Sequence, residues 1–164
     1  MLGEALLGTA AGAIGTVALN AVTYGDMLVR GRPASSVPSQ VAGQMVEKAG
    51  IDLLSPESEE QDGPTAQNRQ SGLGALQGFA VGLGIGTVYG LLRPSLGDVS
   101  KVRAGAVLCL VAMVASDGPA VALGVTDPRQ WDLNSWLSDI VPHLAYGLAT
   151  ALSYDALARN KVHV

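Results

Sequence analysis

Four long apolar stretches recur along the chain, near residues 4 to 27, 71 to 92, 102 to 124 and 136 to 157, with shorter polar segments between them. At about 1.5 Å per residue, each is long enough as a helix to cross the roughly 30 Å hydrocarbon core of a bilayer. Clustered helix breakers fall between the stretches, at Gly31 to Pro33, Pro56, Gly63 and Pro64, Pro94 to Gly97, and Asp127 and Pro128. There they interrupt no backbone hydrogen bonds that a span needs. The pattern predicts an all-α integral membrane bundle of four transmembrane helices, forming one membrane domain over 1 to 164.

The first loop, 28 to 70, carries a pattern of its own. Ser36 suits a helix N-cap and Pro38 suits the first turn, where a missing amide hydrogen costs little. Gly50 suits the stop. A short helix over 38 to 49 follows, with Val41, Met45, Val46 and Ala49 on one face, lying along the membrane surface as an interfacial helix or covering the bundle. Residues 52 to 62 then bring Asp52, Glu57, Glu59, Glu60 and Asp62 together. Their spacing fits no calcium loop, so the stretch reads as a solvated acidic loop and no metal site is expected.

Composition agrees with a bilayer as solvent. Of 164 residues 48% are hydrophobic, 15% are charged and 21 are glycine, and the mean hydropathy is +0.32. The net charge of -4, with no basic cluster interleaved by aromatics, argues against a nucleic-acid partner. Cys109, the single cysteine, sits in an apolar run and reads as packing. The first stretch opens without Lys or Arg and lacks a small-residue cleavage pattern, so it is expected to be retained in the protein.

Tyr24, Trp131 and Trp136 fall at one expected membrane surface, here side B, and Tyr89 and Tyr154 at the other, side A, where both termini lie. Side B holds five Lys and Arg (Arg30, Arg32, Lys48, Arg69, Arg129) and side A five (Arg93, Lys101, Arg103, Arg159, Lys161). All those on side A are in short segments near span ends, which leans towards cytoplasmic termini in an inner membrane.

The second stretch repeats glycine every four residues, at Gly74, Gly78, Gly82, Gly86 and Gly90. Such a stripe lets another helix approach to backbone contact, which drives association in lipid where burying apolar side chains gains little. Gly8 and Gly12, or Ala112, Ser116, Ala120 and Gly124, offer small residues in reply. The stripe implies intramolecular packing or the seam of a homo-oligomer.

Ionisable groups inside a membrane are costly and need a reason to be there. Asp117 and His143 fall at similar depths, roughly 10 Å from side B. Asp139 precedes His143 by four residues, one turn away on the same helix face. Asn20 and Gln77 fall near the same depth, so each stretch would deliver a polar group to one layer. Asp139, His143, Tyr146, Thr150 and Ser153 form a polar stripe on the fourth stretch, answered by Thr9, Thr16, Asn20 and Thr23 on the first. Pro119 would free the carbonyl of Ala115 and Pro142 that of Ser138, leaving irregular helix of the kind transporters use to bind cations. The candidate site of Asp117, His143, Asp139, Asn20 and Gln77 is read in two ways: as polar groups that lock the helices together, or as a proton- or cation-responsive site with His143 titrating near neutrality.

The run from Asp117 to Gly124, the turn Gly124 to Pro128 with Thr126 between, Trp131, and the run Ser138 to Gly147 resemble the YagU-like bacterial inner-membrane proteins. The resemblance covers the last third of the chain. It implies a small multi-pass membrane protein without an assigned reaction, loosely tied to acid tolerance, and gives weight to a titrating His143.

No nucleophile with a base, phosphate loop or ligand cluster can be assembled at a useful spacing, so neither an enzyme nor a cofactor is expected. The expected function is that of a structural or accessory membrane subunit, alone as a homo-oligomer or in a larger membrane complex. The alternative is a proton- or cation-responsive transport or channel-like protein.

Overall fold

The computed structural model describes residues 1 to 50 and 64 to 160, and among them every regular element is helical. The acidic stretch 52 to 62 lies outside the described residues. Five α-helices follow in order: α1 (Leu2–Arg30), α2 (Val37–Lys48), α3 (Pro64–Leu92), α4 (Lys101–Ala122) and α5 (Leu133–Asn160), with single 3₁₀ turns at Arg93–Ser95 and Pro128–Gln130.

Among the described residues three helices are long and apolar enough to cross a membrane: α1, α3 with the 3₁₀ turn that follows it, and α4. The fourth expected span, α5, has the length, at 28 residues. Its apolarity falls short because Asn134, Ser135, Ser138, Asp139, His143 and Asp155 dilute it.

The long helices extend past their apolar portions where local chemistry allows. α3 begins at Pro64, because Gln67, Asn68, Arg69 and Gln70 are tolerated in a helix even though they are too polar for lipid. Ser100 caps α4 by accepting from the Arg103 amide at 3.4 Å. Asp132 Oδ1 accepts from the Ser135 amide at 2.7 Å and so caps α5. Gly31 ends α1 in the left-handed region (φ +63°), which other residues enter at a cost.

The four long helices run alternately up and down. α1 packs broadly against α3 and α5, α5 packs also against α4, and α3 meets α4 only sparsely. The α1–α3 contact is made by backbone. A Cβ added at Gly86 would stand 2.5 Å from Gly12 Cα, and one at Gly12 would stand 2.6 Å from the Gly82 carbonyl oxygen. Gly90 meets Gly8 in the same way. On the far side of α5, Gly147 faces the Gly105 carbonyl and the Cys109 amide of α4, again with no room for a side chain.

The glycine stripe of α3 does not face one partner. A four-residue step overruns a 3.6-residue turn by about 40°, so the stripe winds around the helix. Gly82, Gly86 and Gly90 meet α1, Gly78 meets nothing, and Gly74 meets the Pro38 and Ser39 backbone of α2.

Helix α2 lies against α3, with Val41 and Ala42 buried and Gly43 next to the Gln70 side chain. Met45 and Ala49, expected on the covered face, are exposed. Ser36 occupies the N-cap but has helical backbone (φ -84°, ψ -8°) and makes no cap bond. Its Oγ accepts from Gln40 Nε2 at 2.8 Å instead.

Candidate functional site

The Gly105–Gly147 approach holds α4 and α5 close enough for polar groups towards side B to meet. His143 Nδ1 lies 2.8 Å from the carbonyl oxygen of Asp139 and 3.2 Å from its Oδ1. A carbonyl can only accept, so Nδ1 carries a proton and donates it. Nε2 lies 3.3 Å from Ser116 Oγ on α4. Ser116 Oγ in turn lies 3.1 Å from the Met113 carbonyl and 3.4 Å from Asp117 Oδ1. Asp139, His143, Ser116 and Asp117 thus form one chain of contacts across the α4–α5 seam.

That chain has two proton arrangements. Neutral His143 has a bare Nε2 that accepts from the Ser116 hydroxyl, whose single proton is then unavailable to Met113 and Asp117. Imidazolium donates from Nε2 to Ser116 Oγ, and the hydroxyl proton turns to Asp117 or Met113. Ser116 thus stands between His143 of α5 and Asp117 of α4. The side chains of Asp139 and His143 are only 16% and 14% exposed, and Asp139 Oδ2 is buried with no hydrogen-bond partner.

Of the residues expected in this layer, Asp117, His143 and Asp139 come together and Asn20 and Gln77 do not. Among the described residues Asn20 has no hydrogen-bond partner and is half-buried on α1. Gln77 Nε2 reaches Met45 Sδ at 3.9 Å, because α2 covers that turn of α3. Nor are the helices broken at proline: α4 continues through Pro119 and α5 through Pro142.

Other polar groups of the interior end on backbone or on one another. Tyr146, which is 1% exposed, donates its hydroxyl to the Gly82 carbonyl of α3 at 2.7 Å. Thr9 and Thr87 share a hydrogen bond of 2.7 Å between α1 and α3, and Thr16 donates to its own helix at Gly12 (2.9 Å). The Thr150 hydroxyl has no hydrogen-bond partner but fills the space that a side chain at Gly15 would take.

Each end of the bundle is closed by charge. At side A, Tyr154 donates to Glu4 Oε2 at 2.5 Å and packs edge-on against Tyr89, ring centres 5.3 Å apart. Arg93 reaches Asp155 at 3.7 Å and donates to the Gly97 carbonyl at 3.0 Å. At side B, the Asp26 carboxylate takes both Arg30 and Arg32 at 2.5 Å, and Arg30 also donates to Ser138 on α5. Trp131 and Trp136 meet edge-on at 5.0 Å, and Trp131 Nε1 donates to Thr126 at 2.8 Å. The amide and hydroxyl of Ser135 hold the Asp132 carboxyl below its usual range.

Sequence reasoning did not single out Ser116 as the connector, Gly105 and Gly147 as the α4–α5 contact, or the Glu4–Tyr154 and Arg93–Asp155 links. Asp26 and Arg30, four residues apart on one helix, carried a visible signal. The others join elements distant in sequence.

No protein-family model, curated protein or solved structure matches the chain. The functional reading therefore stands on residues and geometry.

Proposed function

We propose that the chain is a four-span integral membrane protein acting as a structural or accessory subunit, with both termini on the cytoplasmic side of a bacterial inner membrane. The orientation of α5 carries the reading. Tyr146 and Thr150 are buried, while Leu137, Ile140, Val141, Leu144 and Leu152 are exposed. A helix of a water-soluble bundle turns its apolar stripe inward. An apolar exterior on α5, with the buried Tyr146 hydroxyl bonded inside the bundle, is what lipid as solvent requires.

Three inward polar groups support a structural role because they link helices. Tyr146 ties α5 to α3, Tyr154 ties α5 to α1, and His143 ties α5 to α4 through Ser116. A small body of this kind acts through its lipid-facing surface, on copies of itself or on a larger membrane complex. Affinity purification in mild detergent with prior cross-linking tests this. A stoichiometric membrane partner or a defined homo-oligomer is expected, and a monodisperse monomer with neither would overturn the reading.

A second reading, a proton- or cation-responsive protein, is favoured by one observation: the buried Asp139 Oδ2 without a hydrogen-bond partner beside the His143–Ser116–Asp117 chain. The resemblance to YagU-like proteins points the same way. Reconstitution in liposomes tests it. Asp117→Asn and His143→Gln variants that remain folded should lose a pH-dependent ion flux present in the unsubstituted protein, and absence of flux in that protein rejects this reading.

A further inference from the structure

We propose that the hollow between the first turn of α4 and the last turns of α5 holds the phosphate headgroup of an anionic membrane lipid, with Lys101 and Arg159 as its cationic ligands. This rests on α5 crossing the membrane, which sets Arg159 at the same surface as Lys101. The hollow measures about 280 Å³ and is lined by Lys101, Asp155, Ala158 and Arg159.

Its charge balance is positive. The acidic wall is already engaged, because Asp155 Oδ1 faces Arg93 at 3.7 Å. Among the described residues neither Lys101 nor Arg159 has a carboxylate partner; the one hydrogen bond of Arg159 runs from Nε to the Asp155 carbonyl at 3.2 Å and leaves the rest of the guanidinium available. Arg103, exposed two residues after Lys101, adds to the positive charge at this end of α4. Two cations beside a neutralised acid suit a phosphodiester, whose charge each contacts at a membrane surface.

The surroundings favour a lipid over a dissolved anion. Val102, next to Lys101, is 71% exposed, and Leu96, in the preceding loop, is 46% exposed. An apolar surface directly beside the cations gives acyl chains a place to lie while the headgroup occupies the hollow. Side A is also the surface on which the lysines and arginines lie in short segments near span ends, and anionic lipid attracts such residues.

The test is native mass spectrometry of the detergent-purified full chain, with added phosphatidylglycerol, with phosphatidylcholine, and with inorganic phosphate as competitor. The expected result is retention of phosphatidylglycerol over phosphatidylcholine by the unsubstituted protein and by Arg129→Gln, a control on the opposite surface. Lys101→Gln with Arg159→Gln should weaken retention about thirtyfold, and Lys101→Gln alone about fivefold, from the usual contribution of one basic residue at a membrane surface. The single variant answers the question if the double one does not fold. Equal retention by the variants, equal retention of phosphatidylcholine, or displacement by millimolar inorganic phosphate each overturns the proposal, the last by showing a free-anion site. Thiol labelling of Gln130→Cys and Asn160→Cys in a Cys109→Ser background separates the two levels. Labels on the same side of the membrane end the four-span reading, whereas labels on opposite sides with no lipid retention end the lipid site alone.

Discussion

Two regions of the bundle are joined by opposite means, one by backbone contact and one by side-chain networks. Towards side A, α1 and α3 touch backbone to backbone at Gly8, Gly12, Gly86 and Gly90. Elsewhere Gly78 faces open space, and contacts are made by side chains: Asp26 with Arg30 and Arg32 at the end of α1, and His143 with Ser116 between α5 and α4. Backbone contact has one geometry and no chemistry that a proton can alter. Side-chain networks hold less firmly but have alternative hydrogen-bond arrangements. Rigidity and responsiveness thus belong to different joints, and any sensitivity to protons belongs to the side-chain networks, Glu4 with Tyr154 and Arg93 with Asp155 at side A among them.

The largest effect expected from this division follows from glycine substitution. Gly86→Leu forces a side chain into the Gly12 backbone, and since backbone cannot yield, α1 and α3 must separate. Overpacking usually costs about 1–3 kcal/mol, and more where nothing can move. Gly78→Leu, eight residues away in the same stripe, meets open space and should be close to neutral. Thermal unfolding in detergent measures both. Equal losses from the two would dissolve the distinction between the two regions.

Next in size is removal of the connector. Ser116→Ala takes away the hydroxyl between His143 and Asp117 while leaving the helix intact, and its cost should be about 1 kcal/mol, the usual worth of a polar link between membrane helices. Its sharper consequence is in pH dependence. If Ser116 carries the protonation state of α5 to α4, the response of α4 to acid, followed by cysteine accessibility near Met113, disappears in Ser116→Ala and persists in Ser116→Thr. An unchanged response in the alanine variant shows that the two regions do not differ as argued.

Tyr146→Phe comes close behind, at about 0.6 kcal/mol and not above about 2. The Gly82 carbonyl loses a donor, but the ring still fills its place. The comparison predicts that this loss is independent of pH, because no titrating group shares the bond. Unfolding curves at neutral and mildly acid pH check it.

How much of this was legible in sequence follows the range of the interactions. The apolar stretches and the breakers between them are local, so the helices and the short α2 could be located from the chain alone. The i,i+4 pairing of Asp139 with His143 is also local and is found in the structure. That Gln77 is covered by Met45 could not be read, because it depends on where a loop helix docks. The winding of the glycine stripe was implicit in the mismatch between four residues and 3.6, yet which glycines meet α1 depends on how α1 docks. Depth alone brought Asn20 and Gln77 into the same layer as Asp117, and depth does not specify azimuth around the bundle axis.

The smallest effect lies at the first turn of α5. Asp132 caps α5 through the Ser135 amide, and the amide and hydroxyl of Ser135 lower the affinity of its carboxyl for protons. A carboxyl depressed in the folded state stabilises the helix start fully above its unfolded value. That stabilisation is lost as pH falls through the unfolded value and then the folded one. Acidification below about pH 4 should therefore fray the first turn of α5 before it disturbs the backbone-packed region. Asp132→Asn retains an oxygen acceptor and removes the pH dependence, while Asp132→Ala removes the cap at every pH. Hydrogen exchange at the Ser135 amide distinguishes the three proteins. Protection that falls with acid in the unsubstituted chain, stays flat in the asparagine variant and is low throughout in the alanine variant would locate the acid-labile point at this end of the bundle. The amide hydrogens of α1 and α3 around Gly12 and Gly86 should stay protected over the same range, since nothing in that contact titrates.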